Sequence, residues 1–418
     1  MNAAIPFSTT RRHSESLRGF LRRELKPKGR LLTPFNVISL LIMLTAAVIL
    51  VVRFAYGLGA VTNLDQRFPW GLWIGFDVVT GVALAGGAYV LTFLVYILRL
   101  EQYRPIVRVT ILNGFLAYVF YAGALVLDLG RPWNIINPII GNKFGYNSVL
   151  FLVSWHFMLY MIAQFMEFSP AIANWLGWMR VEKALHMLTL GAVIFGISLS
   201  ILHQSGLGGL IVAAGEKISP LWQTPWIGFL FLTSAIIMGF SIVVFEGAVT
   251  VLGLGRRLEL HLYRRLAKVL RWVLVFYLLV RFGDLWYRGA LGAIATETTA
   301  RSTMFLIENA LFAIPVIVLF HRRWRHSAKL LFLSAACLLL AGAVLRFNGL
   351  IVGYTPSAGY VYFPSVIELL VSIGLLAVEA VGFIYIVKRF PVLPPRTHTV
   401  APNARSMPTG LASGQGAG

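Results

Sequence analysis

Ten blocks of mostly apolar residues, each long enough to cross a membrane, divide this chain: roughly 34–56, 69–98, 106–127, 147–168, 184–203, 225–251, 266–287, 302–320, 328–348 and 365–387. About 20 apolar residues in helical form span the hydrocarbon core of a bilayer. The runs are continuous rather than alternating, so the pattern predicts helices and excludes a β-barrel. The expected fold class is all-α. It is a polytopic membrane protein of about ten transmembrane helices in two bundles, held by small residues and interhelical hydrogen bonds. Residues 34–390 form this membrane domain. A basic tail, 1–33, precedes it, and a tail rich in Pro, Gly, Ala and Ser, 391–418, is expected to be disordered.

Charge gives the blocks a direction. The tails and gaps on one side (1–33, 99–108, 170–183, 252–271, 321–329 and 388–418) hold 27 of the 36 Lys and Arg. The gaps on the other side hold 6, and Arg53, Arg281 and Arg346 lie inside spans. By the positive-inside rule the basic side is cytoplasmic, so both termini are expected there. Arg11-Arg12 resembles a twin-arginine signal only weakly, because the apolar run begins more than 20 residues later and is long enough to span. The net charge of +20 sits in short loops such as Arg256-Arg257 and Arg322-Arg323-Trp324-Arg325, where it orients helices and meets anionic lipid headgroups. With 58% apolar residues and a mean hydropathy of +0.77, the chain reads as an integral membrane protein with lipid partners and no nucleic-acid partner. Its one cysteine, Cys337, excludes a disulfide framework and a cysteine-ligated iron–sulfur cluster within this chain.

Charged groups in hydrocarbon are expensive, and they pair or line wet cavities. In the second block Trp70, Trp73 and Asp77 fall at i, i+3 and i+7, one face of a regular helix. Small residues follow from Gly81 to Ala88 and allow close approach of neighbours. Such a face suits a flat ring and a proton donor. It also reads as an interfacial tryptophan belt with one snorkelling acid. The fifth block ends in His203-Gln204-Ser205 before Gly206–Gly209. An imidazole and an amide beside a glycine-rich turn suit a quinone carbonyl, or cap a helix end. Arg281 and Asp284, at i and i+3, read as a mutual ion pair. Glu368 and Glu379 share a face roughly 16 Å apart along a helix, as a proton relay or as separate structural acids. Transmembrane b-type haem needs paired axial ligands at matching depth. His156, His186 and His203 do not match in depth, so no haem is expected, and no metal site is assigned.

At this point the residues resemble a known family. FPWGLWIGFD (68–77), LDLGRPWN (127–134), NSVLF (147–151), HQSGLGGL (203–210), PLWQ (220–223), IMGFSIVVFEG (237–247), LVRFGDLWYR (279–288) and YVYFPSVIELLVSIG (360–374) recur in order. They resemble the Hyb-type membrane subunit of periplasmic NiFe uptake hydrogenases, within the NrfD/polysulfide reductase membrane-subunit family. The resemblance covers about residues 34–395. It implies a subunit without its own redox centre that links a periplasmic, ferredoxin-like iron–sulfur subunit to quinone, with the hydrogenase large and small subunits beyond it. It puts Trp70, Asp77, Asp128, Arg131, His203 and Gln204 near the headgroup. It also implies buried acids that conduct protons, namely Asp77, Glu167, Glu246 and Asp284, with Glu308 and Glu379 as further acids on the path. Related chains often carry a carboxylate just after the NSVLF element. Here that position is Leu152, with His156 one turn on.

The reading is a quinone-reactive anchor in a bacterial inner membrane. Asp77 or His203 gives protons to menaquinone or ubiquinone, and Trp70 and Trp73 pack the ring. Whether the subunit is itself quinone-reducing or a non-catalytic anchor stays open, as does proton translocation. One alternative is the same role for another periplasmic oxidoreductase. Another is a secondary transporter or proton channel, which predicts inverted repeats and broken helices at the midplane; no matching Gly/Pro breaks stand out in corresponding blocks.

Overall fold

The computed structural model describes residues 11, 15–27, 32–68, 70–137, 147–254, 260–356 and 362–390. Among them there is no strand, only an isolated antiparallel bridge between Ile218 and Tyr354. The tail 391–418 lies outside the described residues. A short helix, α1 (Leu17–Glu24), precedes ten long ones. These are α2 (Pro34–Tyr56), α3 (Trp73–Ile97), α4 (Arg104–Asp128), α5 (Val149–Trp175), α6 (Met179–Ala214), α7 (Ile227–Leu254), α8 (Leu260–Tyr287), α9 (Thr299–Phe320), α10 (Ala328–Phe347) and α11 (Val366–Val387).

Several helices start where a hydroxyl residue meets the apolar run. The side chains of Thr33, Ser148, Ser327 and Ser365 each accept a backbone N–H in the first turn of α2, α5, α10 and α11. Pro34 occupies the first turn of α2, where its missing N–H costs nothing. Ser365 and Glu368 cap each other reciprocally.

Nine of the described helices are long and apolar enough to cross a membrane. The seventh expected span is present as α8, a helix of 28 residues, but Lys268, Arg271, Arg281 and Asp284 along it keep it outside that group. It packs against α7 and α9, which both qualify. Arg281 and Asp284 are buried, so the protein and not lipid surrounds them.

Helices α3, α4, α5 and α6 form one bundle around an aromatic core that includes Tyr89, Tyr118, Tyr121, Phe157 and Tyr160. Helices α7 to α10 form the second, and α3 lies between the two, touching α7 and α10. α11 packs on α4, and α2 lies outside it with only Ser39, Ala46 and Arg53 buried.

Two expectations fail locally. The second span is not a regular helix. It has π-helical turns at Trp73–Val78 and Phe93–Ile97 and an interruption at Ala85. Wide turns of this kind mark functional sites and free carbonyls for other donors. A break therefore exists that the residue pattern did not display. The glycine-rich element after His203 is not a turn either: α6 runs unbroken to Ala214, about 54 Å in all. A Cβ on Gly208 would lie 2.5 Å from the Cα of Gly228, so these glycines let α6 and α7 cross backbone to backbone.

Part of the basic tail is also ordered. Phe20 of α1 is fully buried, edge-on to Trp175 at 4.9 Å, and Trp175 stacks on Phe390. Arg389 donates from Nε to the Glu24 carbonyl (2.7 Å). This ties the two ends of the membrane domain together on the basic side.

Candidate functional site

At the end of the bundle away from the basic loops, four helices bring buried ionisable groups together. Asp77 projects from the first π-helical turn of α3, and its Oδ2 accepts from the Ser372 hydroxyl of α11 at 2.5 Å. Trp73, one turn earlier and 1% exposed, donates from Nε1 to the Glu368 carbonyl at 3.2 Å. The Glu368 carboxylate accepts from the backbone N–H of Asn63 (2.7 Å), the N–H of Ser365 (3.2 Å) and the Tyr362 hydroxyl. Burial, and then this hydrogen bond, push the Tyr362 phenol well above its usual range, so it stays a donor. Asp128, at the end of α4, is buried and within electrostatic range of Asp77, Glu368 and Arg53. Arg53 of α2 donates from Nε to the Leu127 carbonyl at 2.7 Å and from Nη2 to that of Leu129, closing the C-terminus of α4. Arg131, three residues beyond Asp128, is exposed at the rim.

Trp70 does not share a helical face with Trp73 and Asp77. It precedes the first helical residue, donates from Nε1 to the Leu350 carbonyl at 2.7 Å and packs on Tyr354 at 5.1 Å. The i, i+3, i+7 count fails because Trp70 lies ahead of the helix, while Trp73 and Asp77 both reach α11.

His203 and Gln204 belong to different surroundings. His203 is 1% exposed, with Nδ1 3.1 Å from the Val153 carbonyl and its ring beside Phe157 (5.6 Å) and Tyr118 (6.4 Å). Gln204 donates from Nε2 to the Val82 carbonyl at 3.1 Å. Tyr118 and Tyr121 of α4 belong to the aromatic core beside these groups, and a Cβ on Gly81 would lie only 1.9 Å from the Tyr121 ring. The seven residues expected at one headgroup thus do not share one set of contacts.

The deeper acids also divide. Tyr121 donates to Glu379 at 3.2 Å and lies within electrostatic range of Asp77. Glu246 of α7 is in range of Glu379 and beside Asn113. Asp77, Tyr121, Glu379 and Glu246 therefore form a discontinuous line through the bundle. Glu167 stands apart, close to Tyr160 and Gly196. The two remaining acids belong to the second bundle, and there the expected Arg281–Asp284 pair is not formed. Arg281 pairs across to Glu308 of α9 at 3.3 Å, both fully buried, and Glu308 also accepts from Trp222 (2.8 Å) and Asn348 (2.9 Å). Asp284 pairs with Arg288 one turn on (2.9 Å) and accepts from Thr224 (2.9 Å). An i, i+4 partner and a facing helix both offered better geometry than i+3.

Ser372, Tyr121, Tyr362, Arg53 and Arg346 were missing from the expected site. Two left a trace in the sequence, Arg53 and Arg346, as charges inside apolar blocks. Ser372 and the tyrosines left none, because hydroxyl groups are ordinary in membrane helices.

Comparison with known proteins places this geometry in a family. The model for "Polysulphide reductase, NrfD" matches residues 60–357. The chain is 37% identical over 350 residues, 83% of its own length and 89% of the other's, to the "Probable Ni/Fe-hydrogenase 2 b-type cytochrome subunit" of Escherichia coli (strain K12). It is 31% identical over 248 residues, 55% of this chain and 57% of the relative, to the "Menaquinone reductase, integral membrane subunit" of Nitratidesulfovibrio vulgaris. It is 25% identical over 397 residues, 85% and 94% of the two chains, to the "Hdr-like menaquinol oxidoreductase integral membrane subunit" of Archaeoglobus fulgidus.

Proposed function

The chain belongs to the polysulphide reductase NrfD family, and from that premise we propose that it is the quinone-reactive membrane subunit of a hydrogenase complex in a bacterial inner membrane. Electrons from hydrogen pass through the large and small hydrogenase subunits and a periplasmic, ferredoxin-like iron–sulfur subunit to a quinone, which leaves as quinol after taking two electrons and two protons. Menaquinone or its quinol stands in the names of two relatives and is the natural first test.

The observation that carries this reading is the buried cluster of Asp77, Ser372, Glu368, Asp128 and Arg53 at the ends of α2, α3, α4 and α11. It offers a carboxyl group whose hydrogen-bond partner is a hydroxyl, set where electrons from a periplasmic partner arrive. Asp77 is the assigned proton donor, with Trp73 packed beneath it and Arg131 and Trp70 at the rim. Protons reach Asp77 along Asp128 from the periplasmic side, or along Glu246, Glu379 and Tyr121 from the cytoplasmic side; the second route would make turnover translocate protons. His203 and Gln204 serve this site from behind α3 rather than touching the ring. The transporter alternative draws on the broken α3 and on the π-helical turn Asn348–Val352 that follows α10 in the second bundle; substrate-dependent flux in vesicles without any redox partner would favour it.

The test is the purified complex. It should contain iron–sulfur and hydrogenase subunits, and should couple hydrogen oxidation to reduction of 2,3-dimethyl-1,4-naphthoquinone. Hydrogen oxidation with a soluble dye serves as the control. A complex that reduces the dye and never the quinone contradicts this reading.

Haem enters through the name of the Escherichia coli relative. The histidines nearest each other, His203 of α6 and His156 of α5, lie within electrostatic range with His203 Nε2 and His156 Nδ1 buried and unpartnered, but their two helices pack directly on each other and leave no gap for a macrocycle between the rings. Bis-histidine ligation needs two imidazoles facing each other across a macrocycle. His203 is wedged against Phe157, Tyr118 and the Val153 carbonyl, where α5 and α6 pack directly on each other. His186 is half exposed and 3.7 Å from Glu182. The purified subunit is expected to show no b-type bands after dithionite reduction. A stoichiometric band lost in His203→Ala would reverse that conclusion.

A further inference from the structure

Arg346 ends α10 completely buried, and among the described residues no carboxylate lies within ion-pair distance of it. A bare guanidinium in such a place is costly unless its donors are met by well-placed acceptors. They are met here by three other helices. Nε donates to the Val79 carbonyl of α3 at 3.1 Å. Nη1 donates to the Gly342 carbonyl at 2.9 Å and the Ser234 hydroxyl at 3.3 Å. Nη2 donates to the Phe231 carbonyl and to Gln204 Oε1, both at 3.4 Å, and the group lies 5.1 Å from the Phe231 ring centre.

The Gln204 contact fixes a direction. A guanidinium only donates, so the amide oxygen must face Arg346. The amide NH2 must then face the other way, where the Val82 carbonyl, which only accepts, takes it at 3.1 Å. Val79 follows the π-helical turn of α3 directly, and Val82 precedes its interruption at Ala85. Two side-chain donors thus grip the stretch of α3 between its π-helical turn and its interruption, at the Val79 and Val82 carbonyls. Asp77 leaves the same stretch toward α11, two residues before Val79.

We infer that Arg346, with Gln204 as its second arm, is a positioning residue that holds the π-helical turn of α3 and thereby aims Asp77. The inference rests on the reading of Asp77 as the proton donor to quinone. A lysine cannot replace the fork, because one ammonium on a flexible stem does not reach acceptors on three helices in a fixed plane.

The experiment is a double-mutant cycle on the intact complex, read as hydrogen-dependent reduction of 2,3-dimethyl-1,4-naphthoquinone with dye-linked activity as control. Arg346→Lys is expected to lower kcat for the quinone about tenfold with little change in KM. In an Asp77→Asn background it should add no further loss. Gln204→Leu should show the same pattern with a smaller loss, and decides the matter if Arg346→Lys does not assemble. The inference is overturned if these variants lower thermal stability but keep parental quinone kinetics, or if their effects multiply with that of Asp77→Asn. If Asp77→Asn by itself leaves quinone turnover unchanged, the reading of Asp77 fails, and the inference with it.

Discussion

Asp77→Asn is expected to leave the complex assembled and to cut quinone turnover at least tenfold, about 1.4 kcal/mol in barrier. Asparagine keeps the shape of the side chain and can still accept from Ser372, 2.5 Å away in the parent. Only the transferable proton is lost. General acid catalysis by a placed carboxyl group contributes about 10²–10⁴-fold when it operates, so tenfold is a lower bound. In the variant, protons must come from bulk water, whose supply falls tenfold with each pH unit. The deficit relative to the parent should therefore widen as pH rises. Dye-linked hydrogen oxidation should stay normal, because it ends before the membrane subunit. Parental quinone turnover at every pH tested would leave Asp77 a structural acid bonded to α11.

The parts of this fold that a reader of the sequence could see are those that the bilayer dictates. The blocks had to be about 20 residues long and helical because no water satisfies a backbone inside hydrocarbon. The same force explains the misread glycines. In a soluble protein Gly206–Gly209 would signal a turn, but within a membrane the chain keeps its helix and spends the missing side chains on closeness to Gly228. α8 was visible as an apolar block despite its charges. Where those charges went was not visible, because spacing along one helix says nothing of Glu308 on α9.

The candidate site was legible as a set of residue types and not as a constellation. Trp73, Asp77 and Asp128 do gather at one end of the bundle. His203 and Gln204 make their contacts with Val153 and Val82 rather than with the Asp77 cluster, and α6 continues past them to Ala214 instead of ending there. A period of 3.6 residues cannot reveal where a helix begins or that it holds a π-helical turn, so Trp70 was counted on a helix that starts after it. Charged residues inside apolar blocks were the strongest available signal. Arg53, Arg281 and Arg346 each proved to organise a buried network, closing α4, pairing with Glu308 and gripping α3.

Glu308→Leu is expected to be the most destabilising single change in the second bundle. In the parent, Glu308 and Arg281 are both fully buried and 3.3 Å apart, and Trp222 and Asn348 donate to the same carboxylate. Removing one partner of a buried ion pair costs about 3–5 kcal/mol, because the other charge is left without compensation. Here Trp222 and Asn348 lose their acceptor as well, which adds to that cost. Arg281→Leu should do less harm, since Glu308 keeps those two donors. The double variant should recover much of the loss seen in Glu308→Leu, because no lone charge remains. The yield of assembled complex and its thermal inactivation in detergent measure all three. Glu308→Gln separates stability from proton transfer. It keeps an acceptor for Trp222 and Asn348 and removes the titratable group. Turnover per assembled complex should match the parent, as expected of an acid held by three donors in the bundle away from Asp77. A normally assembled Glu308→Gln complex with depressed quinone turnover would instead put Glu308 on the proton path.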